Sequence, residues 1–160
     1  MWVMNLGYVE ELRAIVGPRP LIFVGAVVVV VDDFGRILMQ QRKHPHGSWG
    51  IPGGLMELGE SVEDTARREL YEETNLKAGN LHLINIYSGS GNFIRAANGD
   101  EFYVVTTAFF TNEINGELEV DQREAITFEY FYPSQLPDQI VKSHKKIIDE
   151  FIVKHYNKTF

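Results

Sequence analysis

The sequence predicts an α+β fold in which helices cover both faces of a mixed β-sheet. Three observations carry this expectation. The valine-rich run Leu21–Val31 is apolar at nearly every position, the pattern of a central strand buried on both faces. The segment from Val62 to Thr74 reads as a helix lying between strand-like stretches. An amphipathic stretch after Pro137 then closes the chain, which leaves one helix available to each face.

The chain has 160 residues, 44% of them hydrophobic, enough for one core, and is expected to be a single domain over 1–160. It has no cysteine, which excludes disulfides, thiolate metal sites and a cysteine nucleophile. The start, Met1-Trp2-Val3-Met4-Asn5, lacks the character of a signal peptide, and the longest apolar run is too short to span a bilayer. A cytoplasmic protein with no membrane partner is expected. The formal net charge of −7 disfavours non-specific attraction to nucleic acid, which is not an expected partner.

Taken in order, Leu6, Val9, Leu12 and Ile15 recur at helical spacing up to Gly17-Pro18, predicting a leading helix at about 5–16. It is a candidate homodimer contact, and Arg13 on it is expected to be solvated. Leu21–Val31 and Arg36–Arg42, separated by Asp32-Asp33-Phe34-Gly35, read as a hairpin. A loop containing His44 and His46 leads to Trp49 and the turn Pro52-Gly53-Gly54. Ser61 with Asp64 three residues later has the form of a capping box, and Val62, Ala66 and Leu70 form a buried i+4 stripe, so a helix is predicted over about 62–74. Strands are predicted at Leu81–Tyr87, Glu101–Thr111 and Ile126–Tyr132, with turns rich in Gly and Asn between them. The final helix is predicted over about 138–156, opened by Pro137 and Asp138.

The chemistry is concentrated on the acidic helix. Glu69, Glu72 and Glu73 stand three and four residues apart and crowd one helix face, where like charges repel by a few tenths of a kcal/mol per pair. Solvent alone or a bound divalent cation would relieve this, and the cation is the sharper reading. Gly53 and Gly54 upstream permit a backbone that approaches a metal or phosphate closely.

At these residues the chain resembles the Nudix hydrolases, whose signature is G-x5-E-x7-R-E-U-x-E-E-x-G-U with U a bulky aliphatic residue. Gly54, Glu60, Arg68, Glu69, Leu70, Glu72, Glu73 and Leu76 fall at the specified positions. Asn75 replaces the family's final glycine. Asparagine is the next most tolerant residue in a left-handed helix cap, so a small effect on stability is expected.

The resemblance implies an α/β/α sandwich and metal-dependent hydrolysis of a diphosphate linkage in a nucleoside diphosphate derivative. Mg²⁺ or Mn²⁺ is the implied cofactor, with oxygen ligands from Glu69, Glu73, Glu72 and the Gly53 carbonyl. Arg68 is implied to orient the ligand carboxylates, a task suited to a guanidinium fork. Arg42 and Glu60 are the substrate-side candidates, Arg42 for phosphate contact and Glu60 as a brace of the loop or holder of an outer-shell water. Water would attack one phosphorus in line, with Glu124 as the general base and Glu72 as the second candidate. Glu117, Glu119 and Glu129 compete by position only. Phe93, Phe102 and Tyr103 are candidates for stacking on a base.

The expected substrate is a small nucleotide such as a nucleotide sugar or ADP-ribose. A house-cleaning nucleoside triphosphate pyrophosphohydrolase and a non-catalytic nucleotide sensor are the alternatives.

Overall fold

The computed structural model describes residues 7–159. The expected leaderless amino terminus and Leu6, at the start of the predicted first helix, lie outside the described residues. The chain runs α1 (Tyr8–Val16), β1 (Leu21–Val30), β2 (Ile37–Arg42), β3 (Trp49–Gly50), β4 (Gly53–Leu55), α2 (Val62–Thr74), β5 (Lys77–Ala78) and β6 (His82–Tyr87). It continues through β7 (Phe93–Arg95), β8 (Glu101–Thr111), β9 (Ile114–Asn115), β10 (Ala125–Phe131) and α3 (Lys142–Phe151). A wider helical turn at Ile152–Tyr156 and a last turn at Asn157–Thr159 follow.

The valine run is central, as its composition requires. β1 lies parallel to β8 from Leu21↔Phe102 to Val30↔Thr111, and β4 pairs antiparallel on its other edge at Gly25–Val27. β6 and β7 both pair antiparallel with β8, which makes the sheet mixed. Because side chains alternate along a strand, β1 supplies two cores. Val27, Val29 and Val31 pack with Ile147, Ile148 and Phe151 of the α3 helix. Ala26, Val28 and Val30 pack with Ala66 and Leu70 of α2. The expected fold class, a mixed sheet between helices, is observed.

The predicted hairpin does not form. β1 and β2 share only the bridge Val31↔Ile37, closed by an Asp32 turn in which Oδ1 accepts from the backbone N–H of Phe34 and Arg36. β8 and β4 already hold the two edges of β1, so β2 turns away to a second sheet, ordered β10-β2-β3.

The last helix also departs from expectation. It begins at Lys142, because residues 139–141 are drawn out beside Trp49: the Trp49 N–H donates to Gln139 O (2.7 Å) and the Val141 N–H to Trp49 O (2.9 Å). Ile140 and Val141 carry the right hydrophobicity for a helix, but their backbone pairs with the edge of β3 that β2 leaves open.

Helix α2 is specified locally. Ser61 Oγ accepts from the Asp64 N–H and Asp64 Oδ2 accepts from the Ser61 N–H, both at 3.0 Å. The helix stops at Asn75, whose φ of 65° and ψ of 7° place it in the left-handed region. Its N–H reaches Tyr71 O at 2.8 Å, and Nδ2 donates to Glu117 O at 3.3 Å. Replacing this residue should separate conformation from side-chain bonding. Asn75→Ala should destabilise by about 1–2 kcal/mol, the usual left-handed cost of a Cβ. Asn75→Gly should stay within roughly 0.5 kcal/mol of the wild type. Urea unfolding of the three proteins checks this, and equal losses in both variants would shift the weight to the Glu117 contact.

Candidate active site

Two glycines let the acidic helix close on the sheet. At Gly53 a Cβ would overlap the Ala26 carbonyl and Val27, and at Gly54 it would overlap the Glu69 carboxylate. The missing side chain at Gly53 lets β4 lie close against β1, and the one at Gly54 lets α2 bring Glu69 onto β4. Glu73 is only 7% exposed, and its Oε2 accepts from the Gly53 N–H at 3.3 Å. Burial pushes its pKa up to about 8, aided by the charges of Glu69 and Glu124 and opposed by the Gly53 bond and Arg42. Burial likewise raises Glu69 to about 7, against the pull of Arg68.

Arg68 organises the outer part of this face. Its guanidinium donates to Glu69 Oε1 (3.0 Å), Glu72 Oε2 (3.2 Å), Leu55 O (3.0 Å) and both carboxylate oxygens of Glu60. The hydrogen bond from Arg68 holds Glu60 down to about 2, and the Thr65 hydroxyl and Glu57 N–H add to the effect. Both oxygens of the Glu60 carboxylate are thus engaged in fixing the loop. It braces Gly54–Glu60 to the helix, the loop-bracing role expected of it. Glu72 points outward, with its side chain 55% exposed.

The opposite wall comes from distant sequence. The segment before β10 is laced to the end of α2 by Glu119 N–H to Thr74 O and Asp121 N–H to Glu73 O. This brings Glu124 to a cavity of about 380 Å³ that Gln40, Arg42, Gly53 and Glu73 also line. Glu117, Glu119 and Glu129 do not line it. Arg42 also borders an apolar cavity of about 230 Å³, walled by Phe93, Phe102, Val104 and Ile147. A larger cleft of about 960 Å³ runs from Arg42 past His44 and Arg95 to Lys142. Tyr103 packs against Phe93 (ring centroids 5.2 Å apart) and lines neither space.

His144 was not legible in the sequence. Its Nδ1 accepts from the Ile51 N–H at 2.9 Å and lies 3.5 Å from Arg42 Nη2, so the ring is neutral with its proton assigned to Nε2. Burial and the Arg42 charge push its pKa down to about 3. A Cβ on Gly50 would meet both His144 Nδ1 (2.8 Å) and Arg42 Nε (2.9 Å), so the absent side chain is what lets the two approach. No local pattern announces a contact across 102 residues.

The donor set fits a hard divalent cation. Glu69 and Glu73 offer carboxylate oxygens whose negative charge is incompletely balanced, and thiolates are absent. Among the described residues no three acidic or histidine side chains converge as a ready-made cage. An ion there would take Glu69 and Glu73. Substrate oxygens and water would complete its shell, as Mg²⁺ tolerates.

Comparison with known proteins agrees with this geometry. A family model described as the NUDIX domain matches residues 22–151. An ADP-ribose pyrophosphatase of Methanocaldococcus jannaschii is 32% identical over 131 residues, covering 79% of this chain and 72% of the relative. A Bacillus subtilis protein provisionally named 8-oxo-dGTP diphosphatase is 32% identical over 127 residues, covering 79% and 78%. The crystal structure of a MutT NUDIX hydrolase from Burkholderia pseudomallei superposes with a TM-score of 0.69 at 27% identity, covering 81% of this chain and 97% of that one.

The raised carboxyl values have a consequence for stability. Between the ordinary carboxyl value of 4.5 and about 8 the folded protein keeps a proton on Glu73 that the unfolded chain has lost. Stability of the metal-free protein should therefore fall as pH rises through that window, the sign expected when the native state binds more protons. Melting temperatures in EDTA at pH 5.5 and 8.5 test this. Glu73→Gln should flatten the decline, whereas an unchanged slope would assign it to other groups.

Proposed function

The chain belongs to the Nudix family, hydrolases of phosphorus-containing anhydrides, and from that premise we propose that it cleaves the diphosphate linkage of a nucleoside diphosphate joined to a second moiety, using Mg²⁺ or Mn²⁺. The observation that carries this reading is the position of Arg42. It borders the cavity of Glu73 and Glu124, the apolar cavity and the long cleft alike. A base in the apolar cavity, a diphosphate beside Arg42 and a second group along the cleft match that arrangement in size and polarity. The relative named ADP-ribose pyrophosphatase supports a substrate of this form.

In this reading Glu69 and Glu73 hold the cation and Arg68 keeps the outer carboxylates in place. A bound divalent cation would supply charge neutralisation at the phosphate oxygens and make water more acidic. Arg42, kept in position by neutral His144, donates to non-bridging phosphate oxygens. Glu124 takes the proton of the attacking water as its oxygen bonds to phosphorus, and the anhydride P–O bond breaks with its electron pair leaving on the departing phosphate. Glu72, tied to Arg68 and turned to solvent, is the less well placed base.

A second reading has its own support. The apolar cavity of about 230 Å³ is sized for one base, and a nucleoside triphosphate pyrophosphohydrolase would have no need of the long cleft. The provisional name of the Bacillus subtilis relative points the same way.

Product analysis separates the two. With Mg²⁺ or Mn²⁺, nucleotide sugars and ADP-ribose should yield two monophosphates, while triphosphates would yield a monophosphate and pyrophosphate. Glu69→Gln and Glu73→Gln should lower turnover on the order of 100-fold or more, beyond what loss of an outer-shell partner usually does. Glu124→Gln should lower it by about 100-fold or more if the carboxylate is the base. A fully active Glu73→Gln protein would refute the ligand assignment. Metal binding without turnover of any substrate would favour a sensor.

A further inference from the structure

Helix α1 lies outside the residues matched by the family model, yet both of its ends are bound to walls of the site. Its amino end has no side-chain cap of its own. Instead the Tyr8 N–H donates to Glu57 Oε2 at 3.0 Å, and Gly7 leaves room for the other carboxylate oxygen, which a Cβ there would meet at 2.9 Å. A carboxylate at a helix amino terminus is favoured by the unpaired N–H groups and the helix dipole.

Glu57 belongs to the Gly54–Glu60 loop. Its own N–H donates to Glu60 Oε2 at 3.1 Å, and the Glu60 N–H returns a bond to Glu57 O at 3.2 Å. Glu60 is the main partner of Arg68, which in turn grips Glu69 and Glu72. An unbroken hydrogen-bonded path therefore joins the first turn of α1 to the carboxylates of α2.

The other end is held by Arg13, whose expected solvation is corrected here: its side chain is 10% exposed. It donates to Gly17 O (3.1 Å), Arg19 O (2.6 Å) and Glu101 O (2.7 Å), and Nε lies 3.6 Å from Asp100. Its guanidinium also sits 5.6 Å from the Phe23 ring centroid. Glu101 and Asp100 belong to the turn and strand of the β7–β8 hairpin, where Phe93, Ile94 and Phe102 wall the apolar cavity.

We propose that α1 is a strap that sets the site from both sides, with Glu57 positioning the acidic loop for the cation and Arg13 positioning the β7–β8 hairpin for the nucleotide. The two contacts act on different ligands, so they separate experimentally. This inference rests on the proposed metal and nucleotide sites but needs no turnover to test it.

The experiment is calorimetric titration of the full chain with Mn²⁺ alone and with ADP, alongside melting temperatures. Glu57→Ala should weaken Mn²⁺ binding by about 10-fold, as loss of an outer partner does, and leave ADP affinity unchanged. Glu57→Gln, which keeps an acceptor oxygen, should recover most of it. Arg13→Ala should weaken ADP binding on the order of 5-fold, with Mn²⁺ affinity intact. Wild-type affinities in both alanine variants would overturn the strap. So would losses of both ligands together in step with a lower melting temperature, because that is general loosening. A wild type that binds neither Mn²⁺ nor ADP would also overturn it. Normal binding with no turnover on any substrate would refute only the proposed reaction, and the variants would still decide the strap.

Discussion

The close approach of helix α2 to the glycine pair of β4 is the constraint from which the rest of the site follows. With side chains absent at Gly53 and Gly54, the helix can bring Glu69 and Glu73 against backbone and leave them little solvent. Buried carboxylates without full compensation resist ionisation, and the raised values of both groups express that. The compensation is uneven. Arg68 serves Glu60, Glu69 and Glu72 on the outer side, while Glu73 receives one peptide N–H and the more distant charge of Arg42. Glu73 is therefore the less compensated carboxylate, and it faces the cavity that Glu124, Arg42, Lys43 and Arg123 also line.

What the sequence made legible was local or periodic. The Ser61–Asp64 box, the helix over 62–74 and the left-handed Asn75 each depend on residues within one or two turns, and the structure reproduces them. The central place of the valine run also follows from its own composition. Competition between distant segments for backbone partners was not legible. The expected β1–β2 hairpin lost to β8 and β4, and the start of the last helix lost to Trp49. The chemistry divides in the same way. Glu69, Glu72, Glu73 and Arg68 could be placed by spacing on one helix, whereas His144 reaches Arg42, and Arg13 reaches Glu101, across spans that carry no periodic signal.

Glu60 shows why residue type alone does not assign a role. An acidic residue beside a phosphate site is a poor direct ligand for an anion. Here three kinds of protein donor, a guanidinium, a hydroxyl and a peptide N–H, account for its oxygens. Its pKa near 2 keeps it charged, and therefore bonded, through the pH range in which Glu69 and Glu73 titrate. The loop geometry is thus insulated from the protonation changes of the residues it positions.

The arrangement of charge also bears on the order of events in the proposed reaction. A chain of net charge −7 must admit an anionic substrate, and its long cleft does so with Arg42, Arg95 and Lys142 on the walls and no acidic side chain among its lining residues. At the inner end the same anion would meet Glu73 and Glu124, with Lys43 and Arg123 on the same lining. Without a cation, phosphate and any ionised carboxylate there would repel one another, Glu73 most strongly because it is the buried one. With one, each group would become a ligand of the same ion, so cation and nucleotide would strengthen each other's binding by equal factors, as linkage requires. Buried Glu73 would then bear on substrate entry as well as hold the ion: a nucleotide could settle against Arg42 by charge alone, while neutralising Glu73 and Glu124 would ease its way into the inner cavity.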